Sequence, residues 1–169
     1  MTTSEEKARY QKDYETWIMA NGDKIVNQTN PNVFSDSVYT HPNQVTVSIR
    51  QLNDQTDRII FGANLNFPPD AQQVISALPN TEQAGLGDEA VLMLTQMGVQ
   101  FNFLVQNNIL QSITVERTVF GESMTKQIFF DNLYRIIDAL SALQTKFHQK
   151  LGTGKMTSSG SSTNSSFYG

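Results

Sequence analysis

Gly152-Thr153-Gly154-Lys155 carries the glycines and the lysine of a phosphate-binding loop. That loop needs Gly-x-x-x-x-Gly-Lys-Ser/Thr between a strand and a helix, so that backbone N–H groups wrap the phosphates and a hydroxyl reaches the metal. Gln149 stands where the first glycine belongs, Met156 stands where the hydroxyl belongs, and the segment follows a helical pattern. It reads as linker composition. Gly85-Leu86-Gly87 is likewise read as a loop between helices, well short of a dinucleotide fingerprint. No Gly-x-Ser-x-Gly elbow is present.

Neither histidine has a nucleophile partner in view. His41 precedes Pro42 in a turn, and His148 lies near the end of a long helical pattern, where a partly charged imidazole interacts well with the helix dipole. Asp57-Arg58 and Glu116-Arg117 are adjacent pairs in strands, so their side chains leave on opposite faces. Arg50 and Glu116 fall on the same polar face and are able to meet across strands, a contact worth about 0.2–1 kcal/mol. No catalytic residue emerges, and the expectation is a protein that is not an enzyme and uses no cofactor.

Composition narrows the choice further. The chain has 169 residues, enough for one core, and no cysteine. Disulfides, thiolate metal sites, iron–sulfur clusters and a cysteine nucleophile are excluded. The two histidines sit in different elements, which argues against a histidine-rich metal site. A net charge of −4 argues against nucleic acid as the partner, since such proteins usually show a basic patch. No apolar run approaches the 18 residues of a membrane span, and the first residues do not form a secretory signal. The expected setting is therefore cytoplasmic.

The elements that position these residues follow from hydrophobic period. Residues 3–20 read as a helix: Thr3 and Glu6 have capping-box spacing, Tyr10, Tyr14, Trp17 and Ile18 form one stripe, and Asn21-Gly22 ends it. Strands are expected at 33–40, 45–50 and 59–67, the last two alternating apolar and polar residues. A short helical stripe at 71–78 is followed by a loop over 79–87 and a second helical piece at 89–97. Residues 99–105 and 109–119 form a hairpin, with Asn107-Asn108 as a turn that tolerates positive φ. Ser123 is read as the cap of the longest helix, 124–151.

These elements give an α+β domain over residues 1–151. It has two layers: an antiparallel five-stranded sheet in the order α-β-β-β-α-β-β-α, with helices covering its apolar face. Residues 152–169 carry Gly, Ser or Thr at 13 of 18 positions and are expected to be a disordered tail. Its Phe167-Tyr168-Gly169 terminus offers a docking tag as the alternative to a solvated end.

The stretch Met97-Gly98-Val99 to Phe103, the run Ile113-Thr-Val-Glu-Arg-Thr-Val-Phe-Gly121 and Phe129-Phe130-Asp-Asn-Leu133 resemble an archaeal family of uncharacterised proteins. The element order is similar to that of type III secretion chaperones. The resemblance spans roughly residues 5–151. For the chaperones it implies a homodimer that binds an extended segment of another protein; for the archaeal relatives it implies a binding scaffold. It transfers no site residue.

The helical piece 89–97 is apolar nearly all round, and Met97 adds the adaptable side chain common at binding surfaces. Val91, Leu94 and Met97 are therefore expected at a partner or dimer interface, with an intramolecular core as the alternative. The functional expectation is a noncatalytic protein-binding module, a chaperone-like protein or assembly adaptor, acting as a homodimer on a protein partner. The alternative is a small-molecule sensor or enzyme working from the polar sheet face.

Overall fold

Helix α1 (Ser4–Ala20) starts as its spacing requires. Thr3 Oγ1 accepts from Glu6 N at 3.2 Å, and Glu6 Oε2 accepts from Thr3 N at 2.8 Å. This reciprocal cap satisfies two of the donors a helix start leaves open. The structure, a computed structural model, describes residues 2–54, 56–152 and 156–160. Downstream run β1 (Ile25–Gln28), β2 (Val33–Thr40), β3 (Thr46–Leu52), β4 (Arg58–Asn66), α2 (Pro69–Ala77), α3 (Asn80–Gln96), β5 (Gln100–Gln106), β6 (Ile109–Phe120), α4 (Lys126–Leu151) and β7 (Thr157–Gly160).

All pairings are antiparallel, in the order β1-β2-β3-β4-β6-β5. β4 carries two partners on one flank: β3 pairs with Ile59–Gly62, and β7 pairs with Ala63–Asn66. The sheet thus has seven strands where five were expected. β1 has only four residues, half of them amides, and β7 reads Thr-Ser-Ser-Gly, so neither offers an apolar alternation. Side-chain bonds hold β7 instead: Ser158 Oγ accepts from Thr46 N at 3.0 Å and donates to Gln44 O at 2.8 Å, while Asn66 Nδ2 donates to Ser159 Oγ at 2.9 Å. Four residues of the stretch expected to be disordered are therefore a strand; residues 153–155 and 161–169 lie outside the described residues, as does the Phe167-Tyr168-Gly169 terminus.

The odd-numbered apolar residues point inward as expected. Val47, Ile49, Ile59, Phe61, Leu65, Ile113 and Val115 are fully buried against Tyr14 and Ile18 of α1 and a stripe of α4 that includes Phe129, Leu133, Ile137 and Leu140. Tyr14 stacks on Phe129 at 5.6 Å, and Phe61 meets the same ring at 5.2 Å. The helices and the sheet make two layers.

Two boundaries differ from the sequence reading. The expected loop at 79–87 is the first half of α3, because Leu86, Ala90 and Leu94 at i, i+4 and i+8 bury one continuous stripe. Its two interior glycines each cost about 0.8–1.0 kcal/mol relative to alanine, which that stripe outweighs. Helix α4 is capped by Thr125, whose hydroxyl accepts from Ile128 N at 3.2 Å, while Ser123 closes a 3-10 turn over Gly121–Ser123.

Candidate binding surfaces

The outer face of the sheet carries Asp36, Ser48, Arg50, Thr114 and Glu116, and all five are buried. Arg50 Nη2 donates to Glu116 Oε1 at 2.9 Å, with both residues 2% exposed. Gly62 pairs with Ser48 on one side and with Glu116 on the other, so the β4 position beside Glu116 carries no side chain. Asp36 lies opposite Arg50 in the β2–β3 register. Its Oδ2 accepts from Asn30 Nδ2 at 3.2 Å; its Oδ1, also buried, has no hydrogen-bond partner among the described residues.

Two hollows flank β7. The larger, about 710 Å³, lies between the β2–β3 turn, the last turns of α4 and β7, with Asn43, Gln44, Gln144, His148 and Met156 in its walls. Gln44 holds φ +72, a left-handed conformation unusual for a side chain of its size. The smaller, about 370 Å³, opens on the polar sheet face and is walled by Asp36, Val38, Thr46, Ser48 and Ser159 among others. Ser158 and Thr46 belong to both. His41, in the same turn, keeps its Nδ1 2.7 Å from Asn43 Oδ1 and sets its ring edge against Tyr134. The two histidines remain apart in function: one shapes a turn, the other lines a hollow.

The third surface is the edge strand β5, Gln-Phe-Asn-Phe-Leu-Val-Gln. Its one strand partner among the described residues is β6. The hairpin turn has φ +53 at Asn107 and +60 at Asn108, matching the twist that joins such strands. Phe101 and Phe103 pack edge to face at 5.8 Å on the helix side, while Leu104 is 46% and Val105 54% exposed. No residue of the strand is charged, and none is proline. Edge strands usually carry such residues to prevent pairing with another chain.

The three residues expected at an interface separate. Leu94 is fully buried in the core, and Val91 is exposed next to exposed Leu92. Met97 is half-buried at the end of α3, where its carbonyl accepts from Arg135 Nη1 at 3.3 Å and that of Gly98 accepts from Arg117 Nη1 at 2.9 Å. Two guanidinium groups from other elements thus satisfy carbonyls at the helix end. Burial, and then the nearby Arg135, hold the Arg117 guanidinium below its ordinary pKa. Sequence reasoning missed Asp36, which sits in a strand beside serines with no motif around it. It also missed Lys7, although Lys7 and Tyr14 are seven residues apart on one helix face. Lys7 is buried and donates to the carbonyls of Leu52 and Asp54.

Among the described residues no three His, Cys, Asp or Glu side chains cluster as a metal site, and no helix is long and apolar enough to cross a membrane. Residues 11–147 match the family model described as "Uncharacterized conserved protein (DUF2299)". The chain belongs to this family. The DUF2299 fold seen here is similar to the crystal structure of an uncharacterized protein from Methanothermobacter thermautotrophicus, with TM-score 0.79 and 19% identity over 85% of this chain and 99% of that one. It is also similar to YbjN, a putative transcription regulator from E. coli, with TM-score 0.53 and 17% identity over 82% of this chain and 92% of that one. The ExsC–ExsE complex is a more distant neighbour, with TM-score 0.47 and 13% identity over 89% of this chain and 96% of that one. No curated protein matches the chain. At these identities the DUF2299 chain shares a fold with the Methanothermobacter protein and with YbjN, the former in agreement with the archaeal likeness expected from the sequence.

Proposed function

We propose that this protein is a noncatalytic protein-binding module that recognises its partners by strand addition at β5, and that a second copy of the chain is the resting occupant of that edge. The observation that supports this reading is the uncharged, partly apolar edge of β5, whose one strand partner among the described residues is β6. An extended chain laid along such an edge gains main-chain hydrogen bonds, and its alternate side chains set specificity.

The strand's own pattern favours self-pairing. Antiparallel pairing of two copies about Phe103 sets Phe103 against Phe103, Phe101 against Val105, and Asn102 against Leu104. Aromatic and β-branched residues opposite one another stabilise a sheet, and no like charges are brought together. β1, the other edge, has only four residues. A homodimer joined at β5 would continue the sheet across the two-fold axis. A segment of another protein with the same alternation would compete for the same groups.

The test is the absolute mass of the full chain in solution by light scattering. The expected result is a dimer, converted to a folded monomer by Leu104→Lys with Val105→Lys, and also by excess of a synthetic peptide with the β5 sequence. A wild-type monomer that leaves the peptide unbound, or a lysine variant that stays dimeric, would overturn the reading.

A further inference from the structure

The polar face holds a feature that strand addition at β5 does not use. Asp36 is 8% exposed, and its Oδ1 is a buried oxygen without a partner among the described residues. The hollow beside it, about 370 Å³, is at the lower end of the size range of small-molecule sites. Arg50, the cross-strand neighbour of Asp36, sends its Nη2 to Glu116 Oε1 at 2.9 Å. Among the described residues the hydrogen-bond donor to the Asp36 carboxylate is the neutral Asn30 amide. A buried carboxylate is costly unless it is paired or well hydrogen-bonded.

We propose that this hollow binds a small aliphatic amine, its ammonium group pairing with the Asp36 carboxylate. An ammonium has three N–H donors and accepts nothing. The walls supply acceptors of the right kind in the Gln28 amide and the Thr46 and Ser159 hydroxyls, and Val38 gives the carbon chain an apolar side. A carboxylate or phosphate ligand would instead set like charge against Asp36. A neutral alcohol would donate one hydrogen bond there and leave the charge unmatched. The site shares Thr46 and Ser158 with the larger hollow and includes no residue of β5.

The test is calorimetric titration of the full chain with 1-aminobutane, with 1-butanol as the neutral analogue. The expected result is binding of the amine, at least tenfold weaker binding of the alcohol, and loss of about tenfold or more in amine affinity in Asp36→Asn, the scale of one charge-assisted hydrogen bond. Equal binding of the alcohol, undiminished affinity in Asp36→Asn, or no heat with the amine at millimolar concentration would overturn the proposal. If Asp36→Asn does not fold, backbone amide shifts of the wild-type protein decide. Changes grouped at Gln28, Asp36, Thr46 and Ser159 support the site, and changes grouped elsewhere refute it. The Leu104→Lys, Val105→Lys variant is expected to bind the amine like wild type, which keeps failure of the dimer and failure of this site separable.

Discussion

Arg50 Nη2 stands 2.9 Å from Glu116 Oε1, although the whole of β4 runs between their strands. Arg50 is level with Ile60, and Ile60 with Thr118, two residues beyond Glu116. The guanidinium must therefore cross β4 on a diagonal, and Gly62 is the β4 residue facing Glu116. The contact is buried, so it is not the exposed cross-strand pair that alternation alone would suggest. Its energetics are those of a desolvated pair: attraction and desolvation nearly cancel, and loss of one partner strands the other.

Glu116→Ala is accordingly expected to destabilise the fold by about 3–5 kcal/mol in denaturant unfolding. The double variant Arg50→Met, Glu116→Leu is expected to lose less than the single one, because neither member of the pair is left buried without the other. A single variant within about 0.5 kcal/mol of wild type would show that the pair behaves like a solvent-screened surface contact.

On α3, burial separates two residues that look alike in sequence. Leu94→Ala is expected to cost about 2–5 kcal/mol, because Leu94 fills core space, and Leu94→Asp is expected to leave no folded protein. Val91→Asp, at a position 40% exposed, is expected to shift stability by no more than about 0.5 kcal/mol. Thermal melts followed by circular dichroism check all three. Equal effects at 91 and 94 would contradict the packing of this helix.

The β5–β6 turn places both Asn107 and Asn108 at positive φ. Glycine reaches that region without steric cost, and Asn-Gly is the preferred pair for such a turn. Asn108→Gly is therefore expected to hold or raise the unfolding midpoint. Asn107→Val is expected to lower stability by about 1 kcal/mol or more, since a β-branched side chain is strained there. A stabilising Asn107→Val would mean that the hairpin uses another turn.

Two tyrosines set an alkaline limit. Burial raises the hydroxyl pKa of Tyr14 and of Tyr39 above the ordinary 10.0, and the Asp23 carboxylate adds to the effect at Tyr39. The neutral phenol is favoured in the fold, so the unfolded chain gives up these protons first. Their stabilisation is full below about pH 10 and is lost as pH climbs through 10 toward the folded values. Lys7 acts in the opposite sense. Burial lowers its pKa from 10.5, so its charged form is penalised at neutral pH, and that cost fades as pH approaches 10.5. Urea unfolding from about pH 8 to 11 is expected to show a smaller alkaline loss for Tyr39→Phe than for wild type. An identical loss would remove Tyr39 from the account.

Local rules were readable wherever one residue type had one physical reason to be present. Thr3 with Glu6 marked a helix start, Asn107-Asn108 marked a turn, and the odd-numbered apolar residues of β3, β4 and β5 marked the inner face. The Arg50–Glu116 meeting was readable from parity alone, but its burial was not. Parity says which face a side chain takes and nothing about what lies above that face. Lys7 was passed over because a buried lysine is rare, although the helical period placed it beside Tyr14. β7 was passed over because composition reports the burial a segment can achieve by itself. Its place is fixed by hydroxyl and amide bonds to Gln44, Thr46 and Asn66, and no local pattern encodes partners so far away.

The strand that fills the notch between β3 and β4 has a kinetic consequence. Thr157 pairs with Asn66 and Gly160 with Ala63, positions roughly ninety apart in the chain. The hairpins β2–β3 and β5–β6 close over short loops, and closures that span long stretches come later and more slowly. Both hollows have Ser158 in their walls. Both therefore depend on a strand whose pairing spans a long stretch of chain. Any mutation that slows or weakens that pairing would deplete both hollows together while leaving the helices and the central sheet intact.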